Sequence, residues 1–214
     1  MSQICIIFAT KSNKMTSLED IILTKILSKK DGTLFFTEDF LSVGNAKAVS
    51  KALERLEKKK KLRRVARGIY KKPEYNSFIG EIMGATVDEI ARAIARRDKA
   101  RIIPTGVYAL NTLGLSTQVP MNVVYLTDGA ARKINIGKGK GIVFKKTSPK
   151  NLAAKGTISS LVIQALKVIE KDKIREDEKR KVIDLLKKED AENLNHDILV
   201  APEWIRVIMR EALK

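Results

Sequence analysis

The pattern that most restricts the fold is an amphipathic segment followed by a basic hairpin, over residues 45–72. Apolar side chains over residues 49–56 recur at i, i+3, i+4 and i+7, which predicts a helix with one buried face and one lysine-rich face. Asn45 precedes this segment and has the side chain of a helix N-cap. Two short runs of basic and apolar residues then meet at Arg67-Gly68, and this arrangement predicts a β-hairpin.

A helix is also predicted directly after the first fifteen residues. Thr16 with Glu19 and Ser17 with Asp20 both have the spacing of a capping box, in adjacent registers. An apolar stripe at helical spacing follows, so a helix is expected to begin here in either register.

The elements between these two helices complete a small domain. Leu34-Phe35-Phe36 is a short strand candidate, and Thr37 is the expected cap of a one-turn helix. Gly44 ends a tight turn and can take a positive φ angle. Helix, strand, short helix, turn, basic helix and basic hairpin follow one another in the order of a winged helix-turn-helix, which we predict over residues 16–76.

Positive charge is concentrated in two stretches of the chain. The whole sequence of 214 residues has a formal net charge of +17. Residues 42–76 contribute +9 and residues 126–155 contribute +7, so the remainder is close to neutral. Charge that served only solubility would be spread more evenly. The concentration favours a polyanionic partner, with nucleic acid first and an anionic membrane surface second.

Within the predicted winged helix, specific side chains are expected to contact DNA. Residues at the N-terminal end of a recognition helix reach base edges, whereas cations on the wing and farther along the helix contact phosphates. The predicted groove residues are Asn45, Lys47, Ser50 and Lys51, and the predicted phosphate contacts are Arg55, Arg63, Arg64, Arg67, Lys71 and Lys72. Two other interpretations stay open: the charges are only solvated, or the domain binds protein.

Residues 77–214 predict a mixed α/β domain that ends in helices, so the fold class is α+β. An amphipathic helix, a short strand, a short helix closed by Gly114, a buried strand and a hairpin are expected in turn. Three helices then follow, with Thr157 as the cap of the first and Pro202 near the start of the third.

The hairpin over residues 132–146 carries a second basic patch. Its turn, Gly137-Lys138-Gly139-Lys140-Gly141, is not a phosphate-binding loop, because no Gly-Lys-Ser/Thr follows at the required spacing and no helix begins there. It is either a flexible hairpin tip or a basic tip that touches phosphate or an acidic partner protein. The patch consists of Arg132, Lys133, Lys138, Lys140, Lys145 and Lys146.

The cysteine and histidine content of the chain excludes several classes of site. A single cysteine, Cys5, cannot form an internal disulfide, and with the single histidine, His196, it cannot make a zinc site. His196 is followed by Asp197, but no nucleophile can be matched to them, and a capping or packing histidine is expected. No catalytic residue, metal or cofactor is predicted, and an enzyme is unsupported.

Residues 1–15 are predicted to be an extension outside both domains. The apolar run over residues 4–9 is too short for a signal-peptide core, and no run approaches the roughly 20 residues of a membrane span. A cytoplasmic protein is therefore expected, and because nucleic acid is the preferred polyanion, no membrane partner is predicted. Met15 lies directly before the first predicted helix and is an alternative native start to Met1.

Seven motifs spread over both predicted domains resemble those of a known family. They are Arg67-Gly68-Ile69-Tyr70, Ala95-Arg96-Arg97-Asp98, Pro104-Thr105-Gly106, Ala109-Leu110-Asn111-Thr112-Leu113-Gly114-Leu115, Tyr125-Leu126-Thr127-Asp128-Gly129, Ser148-Pro149-Lys150-Asn151-Leu152 and Ala201-Pro202-Glu203-Trp204-Ile205. Together they resemble the AbiEi-type antitoxins of type IV toxin–antitoxin (abortive-infection) systems, and most closely a branch known as a domain of unknown function. The resemblance covers most of residues 17–210, and residues 104–129 are its most specific part.

This resemblance implies a regulator in two parts. The winged helix would bind double-stranded DNA at inverted repeats in the promoter of its own operon and repress transcription. The C-terminal domain would antagonise a nucleotidyltransferase toxin, directly or indirectly. The residues leave two alternatives without antitoxin activity: an RNA-binding module, which the 5% aromatic content disfavours, or a protein-interaction adaptor.

Overall fold

The computed structural model describes residues 17–137 and 139–214, and their mixture of helices and sheets confirms the α+β class. The helices are α1 (Leu18–Leu27), α2 (Ala46–Lys58), α3 (Val87–Arg97), α4 (Val107–Thr112), α5 (Thr157–Ile169), α6 (Glu176–Leu186), α7 (Ala191–Val200) and α8 (Glu203–Glu211). The strands are β1 (Leu34–Phe36), β2 (Arg63–Ala66), β3 (Ile69–Lys71), β4 (Tyr75–Asn76), β5 (Glu81–Ile82), β6 (Ile102–Thr105), β7 (Asn122–Thr127), β8 (Arg132–Gly137) and β9 (Lys140–Lys146).

Two compact units divide the chain. The N-terminal unit consists of the described residues up to Arg64 together with Gly68–Met83, and the C-terminal unit consists of Val65–Arg67 together with Gly84–Lys214. Each unit has its own apolar core. None of the described helices is both long and apolar enough to cross a membrane.

Helix α1 begins with the second of the two predicted capping registers. The Ser17 hydroxyl accepts a hydrogen bond from the Asp20 backbone N–H at 3.2 Å, and the Asp20 carboxylate accepts one from the Ser17 backbone N–H at 3.2 Å. This reciprocal pair satisfies two of the backbone donors that a helix leaves free at its start. The alternative cap, Thr16, lies outside the described residues.

The sheet of the N-terminal unit has the strand order β1-β3-β2. Strands β1 and β3 are antiparallel, with Phe35 opposite Tyr70, and both side chains are buried. The turn from β2 to β3 contains Gly68 at φ +72°, a conformation that glycine adopts without the steric penalty of a Cβ. Thr37 begins a short 3₁₀ helix that ends at Phe40. The predicted strand and hairpin are confirmed.

Gly44 is needed for space and not for a positive φ angle. The expected left-handed conformation is absent at this position. A Cβ atom on Gly44 would instead lie 3.0 Å from Leu18 Cδ2 and 3.6 Å from Val49 Cγ2. The glycine therefore lets the turn before α2 approach the start of α1, and a larger side chain would separate the two helices.

The C-terminal unit contains a mixed four-stranded sheet with the order β6-β7-β9-β8. Strands β7 and β9 are parallel, and the other two pairs are antiparallel. Tyr125 of β7 and Phe144 of β9 are register partners whose rings lie 6.0 Å apart on the buried face. The Tyr125 hydroxyl donates to Asp88 Oδ1 of α3 at 3.1 Å, and burial raises the pKa of Tyr125 far above its ordinary value. Helix α3 therefore covers this face of the sheet.

Helices α4 to α8 form the second layer of the C-terminal unit around a separate apolar cluster. Its largest fully buried members include Leu166 of α5, Leu186 of α6 and Ile205 of α8. Helix α7 was not among the predicted elements. Its first helical turn carries polar side chains, and Asn195-His196-Asp197 interrupts the apolar periodicity that would have identified it.

Helix α5 starts differently from the prediction. Thr157 is the first helical residue and not the cap, and the N-cap position is Gly156, which has no side chain to bond the free N–H groups. Two carboxylates from distant segments replace it. Asp197 accepts from Gly156 N–H at 2.8 Å, and Glu189 accepts from the N–H groups of Ile158 and Ser159 at 2.6 and 3.0 Å. Negative charge at a helix N-terminus is favourable, so these carboxylates tie α7 and the α6–α7 loop to α5.

Candidate nucleic-acid interface

The exposed face of α2 carries the predicted groove residues. Asn45 Oδ1 accepts a hydrogen bond from Ala48 N–H at 2.9 Å, which confirms the predicted N-cap and fixes where the helix begins. The apolar side of the helix is fully packed in the core of the N-terminal unit. Lys47, Ser50 and Lys51 consequently point away from that core and are exposed. The structure shows no ion pair of Lys47 or Lys51 within the described residues.

Arginine side chains on β2 extend the positive surface of α2. Arg63 and Arg64 are both exposed, on a strand at the edge of its sheet. Lys58, whose Nζ lies 3.1 Å from Glu54 Oε1, together with the charges of Arg64 and Lys51, holds the pKa of Glu54 below its ordinary value. Arg64 is therefore close enough to α2 to act on a carboxylate of that helix. Strand β2 and helix α2 form one electrostatic surface.

Two further predicted phosphate contacts, Arg67 and Arg55, are exposed. Arg67 is exposed in the turn before β3. Arg55 Nη1 lies 4.0 Å from Glu19 Oε2, but two-thirds of the Arg55 side chain remains exposed. Lys59 makes the closer contact with Glu19, at 2.6 Å. An exposed ion pair of this kind contributes little stability and can exchange its partner, so Arg55 stays available to a phosphate.

Lys71 and Lys72 have internal partners and, unlike the other predicted phosphate contacts, are not exposed. Lys71 is 2% exposed on the central strand of its sheet, and its ammonium lies 3.3 Å from Glu74 Oε2. Lys72 Nζ donates to the backbone oxygens of Lys29 at 2.6 Å and Leu27 at 3.3 Å, at the C-terminal end of α1. A cation there satisfies carbonyl groups that the helix leaves free. We therefore leave both lysines out of the candidate surface.

The second basic patch also separates into engaged and exposed side chains. Arg132 forms an ion pair with Asp98, and its guanidinium lies over the Phe144 ring at 5.6 Å. These contacts join β8 to the end of α3 and to the buried face of the sheet. Lys138 lies outside the described residues. The remaining four are exposed, and the structure shows no ion pair for any of them within residues 17–137 and 139–214: Lys133, Lys140, Lys145 and Lys146.

His196 and Asp197 lie together, and their arrangement is that of a helix cap. His196 Nδ1 is 2.8 Å from Asp197 Oδ1, and the fully buried Asp197 also accepts a hydrogen bond from the Ser159 hydroxyl. A nucleophile–base pair would need the serine on the histidine, and buried Ser159 offers no access to a substrate. No group of three or more potential metal ligands occurs among the described residues.

One family model matches most of the chain. A model described as a family of unknown function (DUF6088) matches residues 21–194, from within α1 to within α7. The chain belongs to this family. A search of the curated proteins found no match. The DUF6088 match contains the whole α2 surface, the β2–β3 hairpin and the four exposed lysines of the second patch, but it ends before Asp197.

Proposed function

We propose that this DUF6088 protein binds double-stranded DNA and that its N-terminal unit is a winged helix-turn-helix. The observation that carries the proposal is the exposed, basic face of α2 beside Arg63 and Arg64 of β2. The order α1, β1, 3₁₀ helix, α2, β2, β3 and the sheet order β1-β3-β2 are those of a winged helix and support the same proposal. In it α2 is the recognition helix and the β2–β3 hairpin is the wing.

The proposed contacts divide into two kinds. Helix α2 has 13 residues, about 20 Å of helix, and the major groove of B-DNA is about 12 Å wide and admits one helix. The side chains at the N-terminal end of α2 would reach base edges: Asn45, Lys47, Ser50 and Lys51. Arg63 and Arg64 would bind phosphates, together with Arg55 and Arg67. Phosphate contacts fix the orientation on the duplex and carry no sequence information.

Paired double variants separate these two roles. Lys47→Ala/Lys51→Ala is expected to weaken binding to a promoter fragment by about tenfold or more, with less effect on a scrambled duplex. Arg63→Ala/Arg64→Ala is expected to weaken binding to both duplexes about equally, because phosphates are common to all sequences. Fluorescence anisotropy with the two duplexes at one fixed salt concentration measures both effects.

A matched control removes the same charge elsewhere. Lys188→Ala/Lys214→Ala also lowers the net charge by two, at exposed positions of the C-terminal unit. It is expected to change the affinity for either duplex by less than about twofold. If this control weakened binding as much as Arg63→Ala/Arg64→Ala, the α2 surface would not be the DNA site.

We further propose that the protein is a cytoplasmic repressor of its own operon that also acts as an antitoxin against a nucleotidyltransferase. This part rests on the resemblance of residues 104–129 to AbiEi-type antitoxins. Co-expression with a nucleotidyltransferase encoded beside it is the test: growth arrest by the enzyme alone should be relieved by the full chain. The Arg63→Ala/Arg64→Ala variant should still relieve it, because the proposed antagonism belongs to the C-terminal unit. Persistent arrest with the intact chain would remove the antitoxin role and leave the regulator.

A further inference from the structure

Strand β8 forms an edge of the sheet in the C-terminal unit, so one side of its backbone has no strand partner among residues 17–137 and 139–214. The hydrogen bonds of its neighbour β9 show which groups these are. Gly141 N–H donates to Met121 O and Thr147 N–H donates to Thr127 O, both toward β7. Backbone groups alternate in direction along a strand. The N–H and C=O groups of Ile142 and Phe144 therefore point toward β8.

The pairing register then fixes the direction of the groups on β8. Ile134 is opposite Ile142, and Arg132 is opposite Phe144. These are the hydrogen-bonded pairs of an antiparallel ladder, in which both residues direct their backbone groups toward each other. The intervening residues, Lys133 and Asn135, direct their N–H and C=O groups away from the sheet. The edge therefore offers two donors and two acceptors in alternation.

Lysines give this edge a strong positive charge. Lys133 is the register partner of Val143, so Lys145 is its diagonal neighbour on the same face of the sheet. Both are exposed, and neither makes an ion pair with a described residue. A second copy of this chain pairing through β8 would bring like charges together, which is destabilising. The edge is thus protected against self-association and complementary to an acidic strand.

We propose that the β8 edge binds an extended acidic segment of a partner protein, which adds to the sheet as a further strand beside β8. Main-chain hydrogen bonds to Lys133 and Asn135 would supply the pairing, and acidic side chains on the same face would meet Lys133 and Lys145. Nucleic acid fits this edge less well. Phosphate oxygens only accept hydrogen bonds and would leave the outward carbonyl groups unpaired, whereas a peptide strand satisfies both kinds of group. The proposal is independent of DNA binding by the N-terminal unit.

A synthetic peptide of about eight residues that alternates valine and glutamate is the probe. It is expected to bind the full chain in a fluorescence anisotropy titration. The same peptide with lysine in place of glutamate should bind at least about tenfold more weakly, because its charge is reversed. A glutamate peptide N-methylated at the alternate residues whose N–H groups would face β8 should bind about tenfold or more weakly, because it cannot donate hydrogen bonds to the edge. Amide exchange read by NMR should slow at Lys133 and Asn135 and stay unchanged at Ile134.

Variants of the chain complete the test. Lys133→Glu/Lys145→Glu should weaken peptide binding by at least about tenfold, while Lys188→Glu/Lys214→Glu should leave it within about twofold. Promoter affinity of both variants should stay within about twofold, so failure here is distinguishable from failure of DNA binding. Strand addition at β8 would be overturned if the glutamate peptide did not bind, or if the N-methylated peptide bound as tightly as the unmodified one. It would also be overturned if a single-stranded oligonucleotide competed for the site as well as the glutamate peptide does.

Discussion

Affinity for promoter DNA is expected to fall by about 10³-fold when monovalent salt rises from about 50 to 200 mM. Each phosphate that the protein neutralises contributes a slope of about −0.9 in a plot of log K against log salt. Six of the exposed cations in and around α2 and β2 are the proposed DNA contacts. They are Lys47, Lys51, Arg55, Arg63, Arg64 and Arg67.

Anisotropy titrations over a series of salt concentrations measure this slope. The Arg63→Ala/Arg64→Ala variant should reduce its magnitude by about 2, because two counterion-releasing contacts are removed. Lys72→Ala provides a contrast, since Lys72 binds the carbonyl groups at the end of α1. It should lower the stability of the N-terminal unit and leave the slope as it is. A salt-independent affinity would contradict the proposed DNA interface.

Replacement of Asp197 by alanine is expected to destabilise the C-terminal unit by about 3–5 kcal/mol. The carboxylate is fully buried and accepts hydrogen bonds from Lys155 N–H, Gly156 N–H and the Ser159 hydroxyl. Its removal leaves buried donors without partners, and each such donor costs about 1–3 kcal/mol. It also removes negative charge from the start of α5.

Urea unfolding followed by tryptophan fluorescence measures this loss selectively. Trp204 is the only tryptophan of the chain and lies in α8, within the C-terminal unit. Asp190→Ala is the matched control, because Asp190 caps α7 through Asn193 N–H from an exposed position. A loss of about 1 kcal/mol is expected for this ordinary cap. If Asp197→Ala cost no more than the control, the buried carboxylate would not hold α5.

Elements with local signals could be predicted from the sequence. The N-cap at Asn45, the helix after it and the β2–β3 hairpin are determined by neighbours within a few residues. The N-cap of α5 could not be predicted in this way. Its partners, Glu189 and Asp197, lie about 30 to 40 residues away in the sequence. Thr157 has the right chemistry for a cap, but tertiary contacts made it unnecessary.

The candidate interface was predictable in composition but not in detail. A lysine or arginine in a basic hairpin is expected to be exposed, and this expectation holds for Arg63 and Arg64. Lys71 and Lys72 are not exposed, because β3 is the central strand of its sheet and the residue after it lies against the end of α1. Only the strand order shows this. The same applies to β8, whose edge position depends on the parallel pairing of β7 with β9.

The carboxylate caps of α5 bear on how the protein can be shortened. The family match stops at residue 194, whereas Asp197 lies three positions later and holds the start of α5. A fragment cut to the family boundaries would keep Glu189 but lose Asp197, the end of α7 and all of α8. The family match therefore ends inside the compact C-terminal unit. Truncations intended to isolate the C-terminal unit should extend through α8.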